Sequence, residues 1–148
     1  NLIGRIYMEQ PADCPFQAAD RELGCLRGQA DYILVDFHGE ATSEKIAMGY
    51  YLDGRVSCVI GTHTHVQTAD ERILDNGTAY ITDVGMCGPA DGVIGVDRDS
   101  VIRKFTLGLP IQHEPAKGRT QINAVVVTID DELKRATQIT RIHEIYKA

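Results

Sequence analysis

Two short apolar runs joined by one helix-length segment constrain this chain more than any other feature. Residues 32–37 and 56–60 are each a continuous apolar stretch broken by at most one polar side chain. Their length suits strands buried on both faces of a parallel sheet rather than helices. Between them, Ser43 and Glu44 open a helical segment, Ile46, Ala47, Tyr50 and Tyr51 supply its buried stripe, and Asp53-Gly54 stops it. Strand, helix and strand with short joints predict a right-handed βαβ unit with parallel strands. Both strands then end at the same edge, where open α/β sheets bind ligands. The first run delivers His38 to that edge, and the second leads through Gly61-Thr62 to His63 and His65.

The remaining segments fit around this unit. Residues 2–8 read as a strand. Asp13 is expected to cap a helix carrying Phe16, Ala19, Leu23, Leu26 and Ala30 at helical spacing. Asn76-Gly77, between Arg72-Ile73-Leu74 and residues 78–82, predicts a hairpin. A glycine-rich loop over residues 83–89 is expected to line the same site. Asp97 or Asp99 caps a short helix with Val101, Ile102 and Phe105, and strands over 121–129 and 137–145 flank the turn Asp130-Asp131-Glu132. The whole is expected to be one α/β domain over residues 1–148.

Composition narrows the class. The apolar content of 43% is that of an ordinary globular protein, and a net charge of −6 without a Lys/Arg run argues against nucleic-acid polymers or anionic membranes as partners. No apolar stretch is long enough to span a bilayer, which makes the cytoplasm the expected location. Cys14, Cys25, Cys58 and Cys87 are too scattered for a metal knuckle and are expected as reduced, mostly packed thiols. The chain opens inside an apparent strand without an initiator methionine, so it is expected to be the C-terminal portion of a longer domain.

Three histidines at two neighbouring strand ends resemble half of a metal site. Imidazole is the commonest metal ligand, and extended residues at i and i+2 point the same way, so His63 and His65 are expected to face one pocket. Asp36 is expected on the opposite strand face from His38 as a structural carboxylate, with support of a metal-binding histidine as its alternative role. Glu40 is a weaker ligand candidate, and His113 and His143 read as structural or surface histidines.

Three blocks, Asp36-Phe37-His38-Gly39-Glu40-Ala41-Thr42-Ser43-Glu44-Lys45, Gly61-Thr62-His63-Thr64-His65-Val66-Gln67-Thr68-Ala69-Asp70 and Thr78-Ala79-Tyr80-Ile81-Thr82-Asp83-Val84-Gly85-Met86, closely resemble the YmdB-like bacterial metallophosphoesterases of the calcineurin-like superfamily. The resemblance runs over essentially the whole chain. It implies part of a layered α/β/β/α sandwich with a mixed sheet and a binuclear centre of two divalent ions, iron, manganese or magnesium. It further implies hydrolysis of small phosphodiesters such as 2′,3′-cyclic nucleotides, and a homo-oligomer. By matching position, His38 and His63 would bind one metal and His65 the other. The family's remaining ligands and its general acid lie in an N-terminal segment with no counterpart here. No catalytic residue is therefore expected in this chain, and the chain alone is expected to be inactive. Two rival readings are a capsule-biosynthesis type of metallophosphoesterase and a non-catalytic metal-binding scaffold.

Overall fold

The computed structural model describes residues 1–9 and 12–147. Helices α1 (Pro15–Leu26), α2 (Thr42–Leu52) and α3 (Arg98–Leu107) alternate with strands β1 (Leu2–Ile3), β2 (Leu34–His38), β3 (Cys58–Thr62), β4 (Arg72–Ile73), β5 (Ala79–Ile81), β6 (Gly88–Pro89), β7 (Thr120–Asp130) and β8 (Arg135–Tyr146). One sheet has the order β1-β2-β3-β5-β4, parallel except for the antiparallel edge strand β4. The other has the order β6-β7-β8. The fold is therefore mixed α/β with a mixed sheet, as the sequence predicts. The chain divides into two compact units, residues 1–85 with 125–141, and residues 86–124 with 142–148.

The first unit contains the βαβ element β2-α2-β3. On one face of its sheet, Val35, Phe37, Val59 and Tyr80 pack with Ala19 of α1 and with Met48 and Leu52 of α2. Each fully buried large side chain here contributes on the order of 1.5–3 kcal/mol of transfer free energy. On the other face, Cys58, Ile60, Ile73 and Ala79 meet Val127, Ala136 and Ile139 of the β7–β8 hairpin. The Asn76-Gly77 turn forms as predicted, with the Gly77 amide bonded to the Leu74 carbonyl.

Several local expectations are corrected. β1 stops at Ile3 because the Arg5 and Ile6 amides donate to the Glu44 carboxylate instead of continuing a ladder. Cys14 rather than Asp13 precedes α1, since Pro15 suits a first helical position where no N–H is needed. β2 is not buried on both faces: Val35 and Phe37 are buried, whereas Leu34 is 59% exposed. In α2 the buried face is Glu44, Lys45, Met48, Gly49 and Leu52; Ile46 packs partly buried against the core as expected, whereas Ala47, Tyr50 and Tyr51 are exposed. Of the cysteines only Cys58 is buried; all four are free. Burial pushes the Cys58 thiol up to about 11, so it stays protonated and inert.

Gly49 explains the rotation of α2. A Cβ at this position would lie 2.6 Å from Cδ2 and Cε2 of the buried Tyr80 ring. Gly24, exposed in the last turn of α1, has nothing within 4 Å. The two helical glycines are therefore expected to respond oppositely in urea unfolding. Gly24→Ala should stabilise by up to about 0.5 kcal/mol through helix propensity, the low end of the range for a mid-helix glycine. Gly49→Ala should destabilise by about 1–2 kcal/mol, because overpacking against Tyr80 exceeds the same gain.

The second unit contains β6, α3 and the adjoining ends of β7 and β8. The Asp97 carboxylate accepts the Ser100 amide at 2.9 Å and caps α3, as predicted, and Gly108 closes it in the left-handed region at φ 67°. Val101 is buried, but Phe105 is 77% exposed. Arg119 holds the Asp91 carboxyl down to about 2. Among the described residues no helix is long and apolar enough to cross a membrane.

Candidate metal centre

The site grows from the parallel register of β2 and β3, in which His38 pairs with Thr62 and Asp36 with Ile60. Asp36 and His38 are one pleat period apart, so they stand on the same face of the strand. The Asp36 Oδ1 accepts from the Thr62 hydroxyl at 2.8 Å, and that hydroxyl lies 3.1 Å from His38 Nδ1. The expectation that Asp36 points away from His38 is thereby corrected.

The other ring nitrogen of His38, Nε2, lies 3.0 Å from His63 Nδ1. The two rings meet edge to face, with centroids 4.8 Å apart. Behind His63, its Nε2 is 3.1 Å from the Glu40 carboxylate. A cleft of about 380 Å³ opens in front of the pair, lined by Ile3, Tyr7, Met8, Glu9, His38 and His63. His65 and the loop over residues 83–89 are not among its lining.

The reason His65 is not there is local. β3 ends at Thr62, and His63 and His65 take φ 108° and 67°. Neither is extended, so the alternation that predicted two imidazoles facing one pocket does not apply. His63 turns onto His38, and His65 is exposed. A side chain at positive φ costs on the order of 1–3 kcal/mol and persists only where its surroundings impose it.

Asp83 imposes it. This carboxylate and the Lys45 ammonium are each 1% exposed and lie 2.8 Å apart. Asp83 Oδ2 also accepts the Thr64 amide at 3.0 Å and the Thr64 hydroxyl at 2.7 Å, and Oδ1 accepts the Gly85 amide at 2.9 Å. Burial alone would push the Asp83 carboxyl up, but Lys45, Thr64 and the two amides outweigh it and hold the group below its ordinary value. The residue between the two histidines is thus tied from beneath to the sheet and to α2.

The pair fits one side of a divalent-metal site. The Glu40 carboxylate can only accept, so a neutral His63 facing it would carry its proton on Nε2 and turn the Nδ1 lone pair toward His38. Ligand atoms about 3 Å apart are what an ion with bonds of about 2.0–2.1 Å to imidazole nitrogen requires of adjacent ligands. A carboxylate behind a ligating histidine is the usual support for one. Among the described residues no three His, Cys, Asp or Glu side chains converge closely enough to complete a ligand set. His38 and His63 are brought together, and His65 is not brought to them. In the second unit, His143 is satisfied by Asn123, 2.6 Å away, and His113 is exposed.

The YmdB-like protein family matches residues 1–142. The chain belongs to that family. This YmdB-like chain is 54% identical over 142 residues to a 2′,3′-cyclic-nucleotide 2′-phosphodiesterase of Bacillus subtilis strain 168, covering 96% of the chain and 53% of that relative. It is 46% identical over 122 residues to a putative phosphatase/phosphodiesterase of Mycoplasma pneumoniae, covering 80% of the chain and 43% of the relative. Among solved structures it resembles a hypothetical protein from Thermus thermophilus, with a TM-score of 0.86, 42% identity, and coverage of 98% of this chain and 55% of that one. A structure described as a novel phosphatase from Mycoplasma pneumoniae gives a TM-score of 0.87 at 38% identity, covering 97% and 51%. The chain spans about half the length of the curated relatives it matches.

Thr62 and Lys45 were not assigned to the site from sequence, and Asp83 only as the first residue of a loop expected to line it. Thr62 carries no signal beyond standing opposite His38 once the register is known. Lys45 reads as an exposed helix lysine, because its partner lies 38 positions away. Asp83 is visible as an acidic strand exit, but nothing in the sequence says that it turns beneath the histidine loop.

Proposed function

We propose that this chain carries part of a binuclear metal centre that hydrolyses small phosphodiesters, with 2′,3′-cyclic nucleotides as the substrate class. The observation that carries the reading is the meeting of His38 Nε2 and His63 Nδ1 at 3.0 Å on the carboxyl edge of parallel strands. The Bacillus subtilis relative, named for that activity, supports the substrate class. His38 and His63 hold one divalent ion and His65 is assigned to the second, with iron, manganese or magnesium as the candidates. When bound, such a pair supplies Lewis-acid activation of water and neutralises charge on the phosphoryl oxygens. The chain's own residues do the positioning. Lys45 and Asp83 anchor Thr64 between the two histidines, the Glu40 carboxylate backs His63 Nε2, and the cleft walls border the substrate.

A two-metal centre also needs an anionic bridge, further oxygen ligands and a proton donor for the leaving oxygen. We place these outside the 148 residues, so this chain alone should bind metal without turnover. A cytoplasmic homo-oligomer is the assigned working form.

The test joins this chain to the part of the Bacillus subtilis relative outside the matched region and assays 2′,3′-cyclic AMP with added manganese. Hydrolysis by the joined protein and none by the 148 residues is the expected result. His63→Ala should lower metal content, and it should lower the rate by more than the about 10–100-fold that loss of an outer-shell partner costs. Full metal content and full rate in His63→Ala would refute the assignment.

A further inference from the structure

The face of β2 that presents His38 also carries a directional chain of hydrogen bonds. The Asp36 carboxylate can only accept, so the 2.8 Å bond to its Oδ1 uses the single proton of the Thr62 hydroxyl. The Thr62 oxygen then has only lone pairs to offer His38 Nδ1, 3.1 Å away, and Nδ1 must be the donor. A neutral imidazole with its proton on Nδ1 carries its lone pair on Nε2. That is the nitrogen 3.0 Å from His63.

We propose that Asp36, acting through the Thr62 hydroxyl, is a positioning residue that holds His38 in the Nδ1–H tautomer and so commits its Nε2 to a metal ion. Only the last step rests on the reading of His38 as a ligand; the proton on Nδ1 follows from the Asp36 and Thr62 hydrogen bonds, and the Nε2 lone pair then faces His63 Nδ1 at 3.0 Å, an opposition that a shared cation relieves. The backbone makes the arrangement rigid. His38 and Thr62 are direct partners in the parallel ladder, and Asp36 is the diagonal neighbour of Thr62 on the same face. The second Asp36 oxygen accepts from Asn1 Nδ2 at 2.8 Å, which fixes the orientation of the carboxylate. In most metal sites a carboxylate or carbonyl touches the ligating histidine directly. Here a hydroxyl stands between them and passes on the direction of the proton.

Removing either member has a distinct consequence. Thr62→Val keeps the shape and removes the acceptor for Nδ1–H. Asp36→Leu frees the Thr62 proton to turn toward Nδ1, which drives the ring to the opposite tautomer. Asp36→Asn still accepts through its amide oxygen and should keep the native tautomer, and Thr62→Ser keeps the hydroxyl.

The test has two readouts on the 148-residue chain. Long-range proton–nitrogen correlation spectra of the metal-free protein, at a pH where the imidazoles are neutral, report the His38 tautomer. Calorimetric titration with manganese reports affinity. Nδ1–H is expected in the wild type, Thr62→Ser and Asp36→Asn, and its loss in Thr62→Val and Asp36→Leu. The latter two should bind manganese about 10–100-fold more weakly, the cost typical of lost outer-shell support. Thermal unfolding identifies any variant that fails to fold, and Thr62→Ser then stands as the rescue. Retention of Nδ1–H, or of wild-type manganese affinity, in both Thr62→Val and Asp36→Leu overturns the proposal. His38→Ala separates the two levels. If it binds manganese as the wild type does, the reading of His38 as a ligand fails. If it binds weakly while Thr62→Val binds normally, the positioning role alone fails.

Discussion

Lys45→Met is expected to destabilise the protein by about 3–5 kcal/mol, because it leaves the Asp83 carboxylate buried without its counter-charge. Lys45 and Asp83 are each 1% exposed, so water cannot replace the lost partner without opening the core. Urea unfolding followed by circular dichroism measures the loss. Asp83→Asn added to Lys45→Met should recover much of it, since the amide is neutral and its oxygen still accepts from Thr64. A pH series checks the cause. The folded-state value of Asp83 lies below its ordinary one, so its contribution is present above the ordinary aspartate range and disappears as the pH falls through the folded value. In Lys45→Met burial is no longer opposed by the ammonium. The stability gap between wild type and variant should therefore be full near neutral pH and narrow on acidification. A gap that stayed constant down to pH ~3, below the unfolded aspartate value, would exclude the buried charge as its source. The same substitution slackens the anchor of Thr64, so manganese affinity should fall along with stability.

The features that were legible from sequence are those set by neighbouring residues. Two apolar runs and the segment between them predicted β2, α2 and β3 and put His38 and His63 at one sheet edge. Asn76-Gly77 predicted its own turn, and the cap of α3 was narrowed to Asp97 or Asp99, of which Asp97 forms it. What was misread depends on partners far along the chain. Of the α2 stripe expected on Ile46, Ala47, Tyr50 and Tyr51, only Ile46 packs against the core. The inward face instead includes Glu44, which binds the Arg5 and Ile6 amides, and Lys45, which meets Asp83. A charged residue turns inward only when a distant group neutralises it, and hydrophobic periodicity carries no sign of that. Residues 2–8 were read as one strand for the same reason. The placement of His65 failed differently: extended geometry was carried past Thr62 into backbone at positive φ, where side chains no longer alternate. The expectation for Asp36 erred against the pleat itself, because a residue two positions before His38 must share its face. These misreadings fall around the candidate site, where long-range polar contacts override local preference.

Gly61→Ala should be the least tolerated single methyl group in the first unit. Glycine ahead of two histidines invites the reading of a flexible hinge, but Gly61 lies within β3 and has no positive φ. Its constraint is space. A Cβ there would sit 1.7 Å from the Thr82 carbonyl oxygen, 2.7 Å from the carbonyl carbon and 3.0 Å from Lys45 Cδ. None of these can give way cheaply. The carbonyl belongs to the backbone following β5, and the lysine stem is held by Asp83. Relief requires β3 and the chain after β5 to part, which breaks the 2.9 Å bond from the Val84 amide to the Gly61 carbonyl and shifts Asp83 away from Thr64. The expected cost exceeds about 4 kcal/mol, the range reserved for steric and buried-polar failures. Gly61→Ala should therefore be poorly folded at 25 °C or unfold far below the wild type in urea. Gly24→Ala, the same chemical change with open space around it, should gain stability. Wild-type stability and metal affinity in Gly61→Ala would mean that the close approach of Thr82 to β3 is not what sets the histidine loop in place.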